Sequence, residues 1–414
     1  MDKSDRSSPR CYRTIGKKLG RRKVMNRQKS SRRNSEEIIL IGVLPFVIDK
    51  YGYLARGYLD HGLKVKILTY DLYGTAGEIA TKYGVEIIKV PRNPFLRLFY
   101  SISKILEIKP RYFEIYDYSV LTFFYVIVSK ILHTHVTMPL IGYEIFDDDP
   151  TAKAVGISRL RIWIKKKLTK LAIRFSDLIW VKEYQTFEAL KKKKGIETKL
   201  FFFSNSIPLP DKISEFKTRT LDILWLNRIR ERRFTTDLIK ALEVAEKDLL
   251  GIKPYWTVAI VGFFLDDPSK SLDPVYEDIV LKAIQEHNNK WNIKIRAENF
   301  TKDPAKYISN AKVFVLLSDV IFANYALLEA MANGVIPIVN DGVGAEKIIN
   351  HGENGFIVPT NDIITLAKTL VDIFVMMEKY PQKARSISDA ARRTINEKFS
   401  INSFVRQIMS ARKK

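Results

Sequence analysis

Glu329 is the residue of this chain whose surroundings most clearly require a ligand. It lies in the segment LLEAMA, where Leu327, Leu328 and Met331 have the spacing of a helix face packed on a sheet. An ionised carboxylate among such residues needs polar partners that offset its desolvation. A pair of ligand hydroxyl groups is one such partner, so we expect Glu329 to bind a ligand.

The start of the same helix predicts an anion site. Asn324 is a good N-cap, and a helix that begins at about Tyr325 would direct the N–H groups of its first turn toward whatever lies above the sheet edge. Phosphate groups commonly bind at such helix N-termini. We therefore assign Asn324, Tyr325 and Ala326 to the same ligand as Glu329.

Cationic side chains follow another apolar segment, LDILWL, which starts at Leu221. Arg228, Arg230, Arg232 and Arg233 are the candidates there. Cations at a strand end can neutralise a bound diphosphate and the charge that grows on it as a bond to it breaks, so no metal is required. A basic surface cluster is the alternative, but the position after an apolar strand favours the ligand.

The elements around these residues predict a parallel sheet. Ala311–Asp319 is rich in β-branched and large apolar residues, as a strand buried on both faces would be. Asn333-Gly334 ends the helix, and Val335–Val339 returns as the next strand. Two strand ends and a helix N-terminus therefore converge on one crevice, where open α/β sheets bind ligands.

Two glycines complete the predicted ligand site. Gly262 follows the strand that begins at Thr257, and its missing side chain would let a ligand approach the backbone. Gly344 lies in the turn beyond Val339. We expect both to border the bound ligand.

The region from Ile321 to Pro359 resembles the donor-binding segment of the retaining glycosyltransferases of family 4 (glycosyl transferases group 1). Those proteins have the GT-B arrangement, which is an α/β fold of two Rossmann-like, doubly wound domains facing across a cleft. The matching positions are Glu329-Ala330-Met331-Ala332, Gly334, Pro337, Gly342, Gly344, Glu346, Gly352, Gly355 and Pro359.

The resemblance implies an enzyme that moves a sugar from a nucleoside-diphosphate-sugar donor to a hydroxyl of a glycan or lipid-linked glycan. It implies no cofactor and no metal. In the family, the glutamate matching Glu329 holds the nucleotide ribose, and the cations matching Arg228 and Arg232 hold the diphosphate. The part of the family matching Ile293–Phe300 often packs on the base.

This sequence also departs from the family. Ile321 stands where the family has a glutamate that contacts the donor sugar, and Phe322-Ala323-Asn324 replaces Gly-Phe-Gly. Tyr143 stands where a histidine is common, and Glu144 beside it is a candidate catalytic carboxylate, with a solvated acidic loop as the alternative. A GT-B binding or scaffold protein with impaired catalysis is therefore the rival hypothesis.

The alternation of elements predicts the following domains. Residues 1–35 form a disordered basic tail, 36–206 an acceptor-side Rossmann-like domain, 207–220 a linker, 221–383 a nucleotide-sugar-binding Rossmann-like domain, and 384–414 a helical segment. In GT-B proteins the last helix often returns to the first domain, and we extend that expectation to this chain.

Composition narrows the function classes. The 414 residues carry a net charge of +23, of which residues 1–35 supply 13 Lys or Arg against 2 Asp. No recognised nucleic-acid motif accompanies this charge, so nucleic acid is disfavoured as a partner.

A single cysteine, Cys11, excludes an intramolecular disulfide, and no metal-ligand spacing occurs. Without a signal peptide or a membrane-length apolar run, we expect a cytoplasmic protein.

Residues 157–175 predict an amphipathic helix. Its apolar stripe consists of Leu160, Ile164, Leu168, Leu171 and Phe175, and basic residues cover much of the remaining surface. This pattern suits a helix lying on an anionic membrane, as does the basic tail. The alternative is a surface helix that buries its stripe in its own domain.

Overall fold

The computed structural model describes residues 37–45, 49–71, 83–140 and 159–413. Residues Ile38–Lys414 form one compact unit, which holds every element named below. The predicted tail of residues 1–35 lies outside the described residues. Among those that are described, no helix combines the length and the apolar character needed to cross a bilayer.

The first half is a parallel sheet of seven strands in the order β3-β2-β1-β4-β5-β6-β7. Its strands are β1 (Ile38–Leu44), β2 (Lys64–Thr69), β3 (Glu86–Lys89), β4 (Tyr112–Ile115), β5 (His135–Leu140), β6 (Leu178–Val181) and β7 (Leu200–Phe202). Its helices are α1 (Asp49–Asp60), α2 (Pro94–Ile108), α3 (Thr122–Ile131), α4 (Arg159–Phe175) and α5 (Tyr184–Lys191). One face of the sheet packs on α1, and the other packs on α2 to α5.

The second half is a parallel sheet of six strands in the order β10-β9-β8-β11-β12-β13. Its strands are β8 (Leu221–Leu226), β9 (Val258–Phe263), β10 (Ile295–Asn299), β11 (Ala311–Leu316), β12 (Ile336–Asn340) and β13 (Phe356–Val358). Its helices are α6 (Thr235–Ile252), α7 (Pro274–Lys290), α8 (Ala305–Ile308), α9 (Tyr325–Ala332), α10 (Ile363–Lys379) and α11 (Pro381–Lys398). The predicted class, two doubly wound Rossmann-like domains, is confirmed.

The last helix, α12 (Ile401–Ala411), belongs to the core of the first half. Its Phe404 ring lies 4.3 Å from the Trp180 ring of β6, measured between centroids. Just beyond it, the Arg412 guanidinium pairs with the Glu114 carboxylate of β4, and both side chains are fully buried. The segment predicted as 384–414 therefore divides, because α11 packs on the second sheet and α12 returns to the first.

The chain crosses between the halves at two places that are hydrogen-bonded to each other. Ile207 N donates to Phe399 O, and Ile401 N donates to Ile207 O, each at 3.0 Å. The predicted linker of residues 207–220 starts at this bridge. Any movement of one half against the other must bend both crossings together.

Helix α4 corrects one expectation. The structure buries Ala172 and Ile173 against the sheet and leaves Ile164, Leu171 and Phe175 exposed. The buried face of the helix, with Ala172 and Ile173, therefore differs from the predicted stripe. The alternative in which the stripe is buried within its own domain is therefore wrong for these three residues.

Candidate functional site

The second sheet reverses its strand order between β8 and β11, because the chain leaves these neighbouring strands toward opposite edges. In open α/β sheets such a point forms a crevice beyond the carboxyl ends of the strands. Asn227 and Arg228 follow β8, and Ser318 and Asp319 follow β11 closely. The candidate site is therefore built from these two strand ends and from α9, which comes next in the chain.

Helix α9 begins at Tyr325, as its sequence predicts. Asn324 has an extended backbone, and its Oδ1 accepts a hydrogen bond from Leu327 N at 3.3 Å. This cap satisfies one N–H of the first turn, while the helix dipole still favours an anion at this end. Ala326 is buried one position further along.

Glu329 lies one turn into α9, and its carboxylate has no hydrogen bond or ion pair with any residue that the structure describes. Burial raises its pKa from 4.5 to about 7. Leaving a carboxylate desolvated and without partners is costly. The group therefore gains strongly from ligand hydroxyls that donate hydrogen bonds to it.

The first turn of α9 adjoins the first half of the chain. Burial, together with the nearby Tyr51 hydroxyl of α1 and the Glu329 carboxylate, raises the pKa of Tyr325 above its usual range. The Tyr51 ring contacts the Tyr116 ring edge-on, with centroids 5.1 Å apart, and Tyr116 directly follows β4. The carboxyl ends of β4 and β11 thus lie on the two sides of one cleft.

The predicted cations border the crevice, and they differ in their contacts and in their exposure. Arg233 donates to Ser318 Oγ at 2.7 Å, and burial lowers the pKa of this guanidinium. Arg232 is largely exposed and lies 3.5 Å from the Asp319 carboxylate. Arg228 is exposed, with its guanidinium 5.4 Å from the centre of the Phe300 ring. Sequence reasoning preferred Arg232 to Arg233, whereas the structure gives Arg233 the shorter hydrogen bond and the less exposed side chain.

Asn340, which was not among the predicted site residues, connects the carboxyl ends of the central strands through hydrogen bonds. Its Oδ1 accepts from Ser318 N, and its Nδ2 donates to Thr360 Oγ1, both at 2.7 Å. Ser318 Oγ also accepts from Arg233. Asn340 is the last residue of β12, and polarity at the end of a buried strand was the only signal of this role.

Two of the predicted nucleotide-site residues are glycines with positive φ, and both are required by packing. A Cβ on Gly262 (φ 141°) would lie 1.7 Å from Asn227 O, so β8 and β9 could not end side by side with any other residue there. A Cβ on Gly344 (φ 78°) would lie 2.6 Å from Phe322 Cβ. Their contact with a nucleotide stays a prediction.

Aromatic rings flank the crevice on the β10 side. The rings of Phe264 and Phe300 are stacked, with centroids 5.4 Å apart and 14° between their planes. Phe300 is partly exposed and also contacts Arg228. Such a surface can stack on a planar base.

Ile321 is fully buried in the core beneath α9, so its position cannot present a polar group to a ligand as the expected glutamate would. The next residue, Phe322, stacks on Phe202 of β7. Ala323 O accepts a hydrogen bond from Asn205 Nδ2 of the first crossing at 2.9 Å. This loop connects the two halves, a role that sequence reasoning missed because its partners lie more than a hundred residues away.

Glu144 and its neighbours Asp147 to Asp149 lie outside the described residues. Within the part of the chain that is described, no three His, Cys, Asp or Glu side chains are grouped so that they could hold a metal ion. The site described above combines the carboxylates of Glu329 and Asp319, a helix N-terminus and several arginines. That combination suits a ligand with both hydroxyl and phosphate groups.

Comparisons with known proteins agree with this chemistry. Residues 206–394 match the family described as glycosyl transferases group 1. No curated protein sequence matches the chain. The solved structure of a glycosyltransferase from Rickettsia africae ESF-5 is similar, with a TM-score of 0.66, 16% identity, and coverage of 92% of this chain and 98% of the other.

Two further solved structures share the fold. HepE of Anabaena in complex with UDP has a TM-score of 0.62 and 14% identity, over 91% of this chain and 100% of the other. Sucrose-phosphate synthase from Thermosynechococcus elongatus has a TM-score of 0.55 and 16% identity, over 91% and 100%. At such identities the likeness establishes the two-domain architecture alone.

Proposed function

We propose that this chain, a divergent glycosyltransferase of group 1 with the GT-B fold, moves a sugar from a nucleoside-diphosphate-sugar donor to an acceptor hydroxyl with retention of configuration. The observation that carries the proposal is the Glu329 carboxylate, which is partly buried, is desolvated enough to raise its pKa, and has no hydrogen-bond or ion-pair partner among the described residues. The two hydroxyls of a ribose would each donate a hydrogen bond to it. The sugar diphosphate would then extend toward the first turn of α9.

Positive charge at the strand ends also favours a donor whose diphosphate lies near the first turn of α9. Arg228 and Arg232 have exposed guanidinium groups beside the crevice, and Arg233 is held there by Ser318. Breaking the bond between sugar and phosphate leaves negative charge on the diphosphate. Fixed cations and a helix N-terminus stabilise that charge without reorganising, which is an effective form of catalysis.

Retention follows in this proposal from the role of the leaving phosphate. The phosphate oxygen takes the proton of the acceptor hydroxyl on the face from which it departs, while that hydroxyl bonds to the sugar carbon. The protein then has to position donor and acceptor and supply electrostatic stabilisation, and it needs no dedicated base. Glu144 stays a candidate for a further contact on the acceptor side.

Uridine is the base to test first, because the solved structure of HepE, which shares the fold, contains UDP. The stacked rings of Phe264 and Phe300 offer a surface for a base. An acceptor hydroxyl on a glycan or lipid-linked glycan belongs to the same proposal. The proposed reaction also uses no cofactor and no metal.

The direct test is thermal stabilisation of the purified protein by UDP, GDP, ADP, CMP and their sugars. We expect one nucleotide and its sugar to raise the melting temperature, and we expect Glu329→Gln to abolish the shift. Glu286→Gln, on an exposed position of α7, is the matched control and should leave the shift intact. Equal stabilisation of all three proteins would exclude Glu329 as the ribose ligand.

Transfer is tested with the donor identified in that screen. Incubation with a panel of glycan and lipid-linked acceptors should give a product whose anomeric configuration, read by NMR, matches that of the donor. An inverted product would contradict retention while leaving the donor site intact.

A GT-B protein that binds the donor without transferring the sugar is the second candidate. It rests on Ile321, which is fully buried where a carboxylate is expected to contact the sugar. In that case the protein would bind the nucleotide sugar no more tightly than the nucleotide alone, and no acceptor would be glycosylated. Comparing UDP with UDP-glucose by calorimetry separates the two candidates.

A further inference from the structure

We propose that the outer surface of α2, α3 and α4 docks the protein on an anionic membrane. These helices cover one face of the first sheet, and we call their outward side the three-helix face. Its exposed apolar residues are Phe95, Leu96, Phe99, Tyr100, Leu106, Phe124, Ile131, Trp163, Ile164, Leu171 and Phe175.

The extent of exposure is unusual for such large side chains. Phe95 is 68% exposed, Phe99 is 57% exposed, and Trp163 is 53% exposed. The rings of Phe95 and Phe99 lie 4.8 Å apart between centroids, one turn apart on α2. The surfaces of soluble proteins routinely expose single apolar residues, but a set of such residues spread over three adjacent helices marks an interaction surface.

Charge identifies the occupant of this face. Helix α4 has seven Lys or Arg and no Asp or Glu. Lys165 and Lys167 are exposed, and the Lys167 ammonium lies 4.2 Å from the centre of the Trp163 ring. Lysines interleaved with aromatic and aliphatic residues are typical of helices that lie at an anionic bilayer, with apolar groups inserted and cations among the headgroups.

Other occupants fit less well. A second copy of the chain would bring two α4 helices of the same charge together, and the chain's own basic tail has the same sign. Lysine is depleted in the cores of protein interfaces. Nucleic acid would satisfy the lysines but offers no partner for aliphatic residues such as Leu96, Leu106 and Ile131.

The position of α2 brings this surface close to the cleft. Helix α2 starts shortly after β3 ends, so its first turn, with Phe95, lies near the carboxyl edge of the first sheet. The cleft is at the same edge. Docking would hold the acceptor side of the cleft close to the membrane surface. This link to a lipid-anchored acceptor rests on the proposed function, whereas the docking itself does not.

The test is flotation of the full chain with vesicles of phosphatidylcholine alone or mixed with about 30% phosphatidylglycerol. We expect the protein to float with the mixed vesicles, to bind neutral vesicles at least about tenfold less, and to be released by salt. Phe95→Gln/Phe99→Gln/Trp163→Gln should lose binding roughly tenfold or more. Lys165→Gln/Lys167→Gln should lose it to a similar degree.

Tyr255→Gln/Val275→Gln is the matched control, because both residues are highly exposed but lie on the second half. It should bind like the unchanged protein. All variants retain the basic tail, so undiminished binding of the triple variant would assign the binding to other basic segments and overturn the proposal. Donor-induced thermal stabilisation, measured on every variant, reports whether each is folded and tests the proposed function separately.

Three other results would also overturn the proposal. The first is no vesicle binding by the unchanged protein. The second is a dimer, seen by analytical ultracentrifugation, that the triple variant dissolves. The third is binding of single-stranded DNA that depends on the lysines while vesicle binding does not. Quenching of Trp163 fluorescence by brominated lipid, lost in Trp163→Phe, would directly support insertion.

Discussion

Phe322, in the loop before α9, stacks on Phe202 of the first half, with ring centroids 6.1 Å apart and 18° between the ring planes. Lys347 lies over the neighbouring Tyr184 ring of α5 and so adds a second contact between the halves. Both contacts involve loops that border the candidate donor site. The two loops that border the candidate donor site thus also connect the second half of the chain to the first.

The stacked pair should contribute to stability in a way that a double-mutant cycle can isolate. We expect Phe202→Ala and Phe322→Ala to show a coupling free energy of about 0.5–1.5 kcal/mol in urea unfolding, because stacked aromatic pairs are worth this much beyond buried area. The same cycle on Phe202 and the distant Phe300 should give no coupling. Additive effects for the first pair would contradict a direct contact in solution.

Glu329 should destabilise the ligand-free protein at neutral and alkaline pH. Its pKa is raised from 4.5 to about 7 in the folded state, so the folded state binds the proton more tightly. The stability that this gives is fully present below pH 4.5 and is lost as pH rises through 7. Glu329→Gln should therefore be more stable at pH 8 by about 3 kcal/mol, and not below about pH 4.5. Urea unfolding across this range measures the difference.

Donor binding should show the opposite pH dependence. Only the ionised Glu329 carboxylate can accept hydrogen bonds from both ribose hydroxyls, and with a pKa of about 7 it is mostly protonated at pH 6. We expect the affinity for UDP-glucose to rise about tenfold between pH 6 and pH 8. Calorimetry is suited to this test, since the diphosphate of a nucleotide sugar does not titrate in that range. Glu329→Gln should bind weakly at every pH.

The arginines should affect catalysis more than binding. Arg228→Ala and Arg232→Ala remove exposed cations beside the expected diphosphate, and we expect each to lower kcat roughly 100-fold with a smaller rise in KM, since negative charge grows in the transition state. Arg296→Ala, exposed on β10, is the control. An increase in KM alone would assign these arginines to donor binding only.

The buried ion pair at the end of the chain should be essential for stability. Arg412→Met leaves the Glu114 carboxylate buried, with the hydroxyls of Tyr58 and Tyr116 as its remaining partners. We expect a loss of about 3–5 kcal/mol. Adding Glu114→Gln should recover part of it, because the unpaired charge is removed. Thermal unfolding of the single and double variants measures both effects.

The sequence predicted the fold through local patterns. Apolar strands, the Asn324 cap and the Gly334 helix end are encoded within a few residues of each other, and each is present in the structure. The apolar surroundings of Glu329 sufficed to predict that its carboxylate would be desolvated, while its contact with a ligand stays a prediction. These features depend on short-range spacing, which a single sequence displays.

Contacts between distant segments could not be predicted in this way. Arg233 and Ser318 are 85 residues apart, and Phe202 and Phe322 are further apart still. The buried face of α4 includes Ala172 and Ile173 and differs from the stripe that hydrophobic spacing predicted. Long-range contacts and the buried face of a helix depend on the shape of neighbouring elements. The hydrophobic periodicity of a single segment does not predict them.

The return of α12 to the first half has a consequence for how the protein is made. During synthesis, residues 38–202 emerge before any of the second sheet, yet their core still lacks Phe404, Val405 and Ile408, and Glu114 still lacks Arg412. The first half therefore cannot reach its final core while the ribosome is still translating the second half.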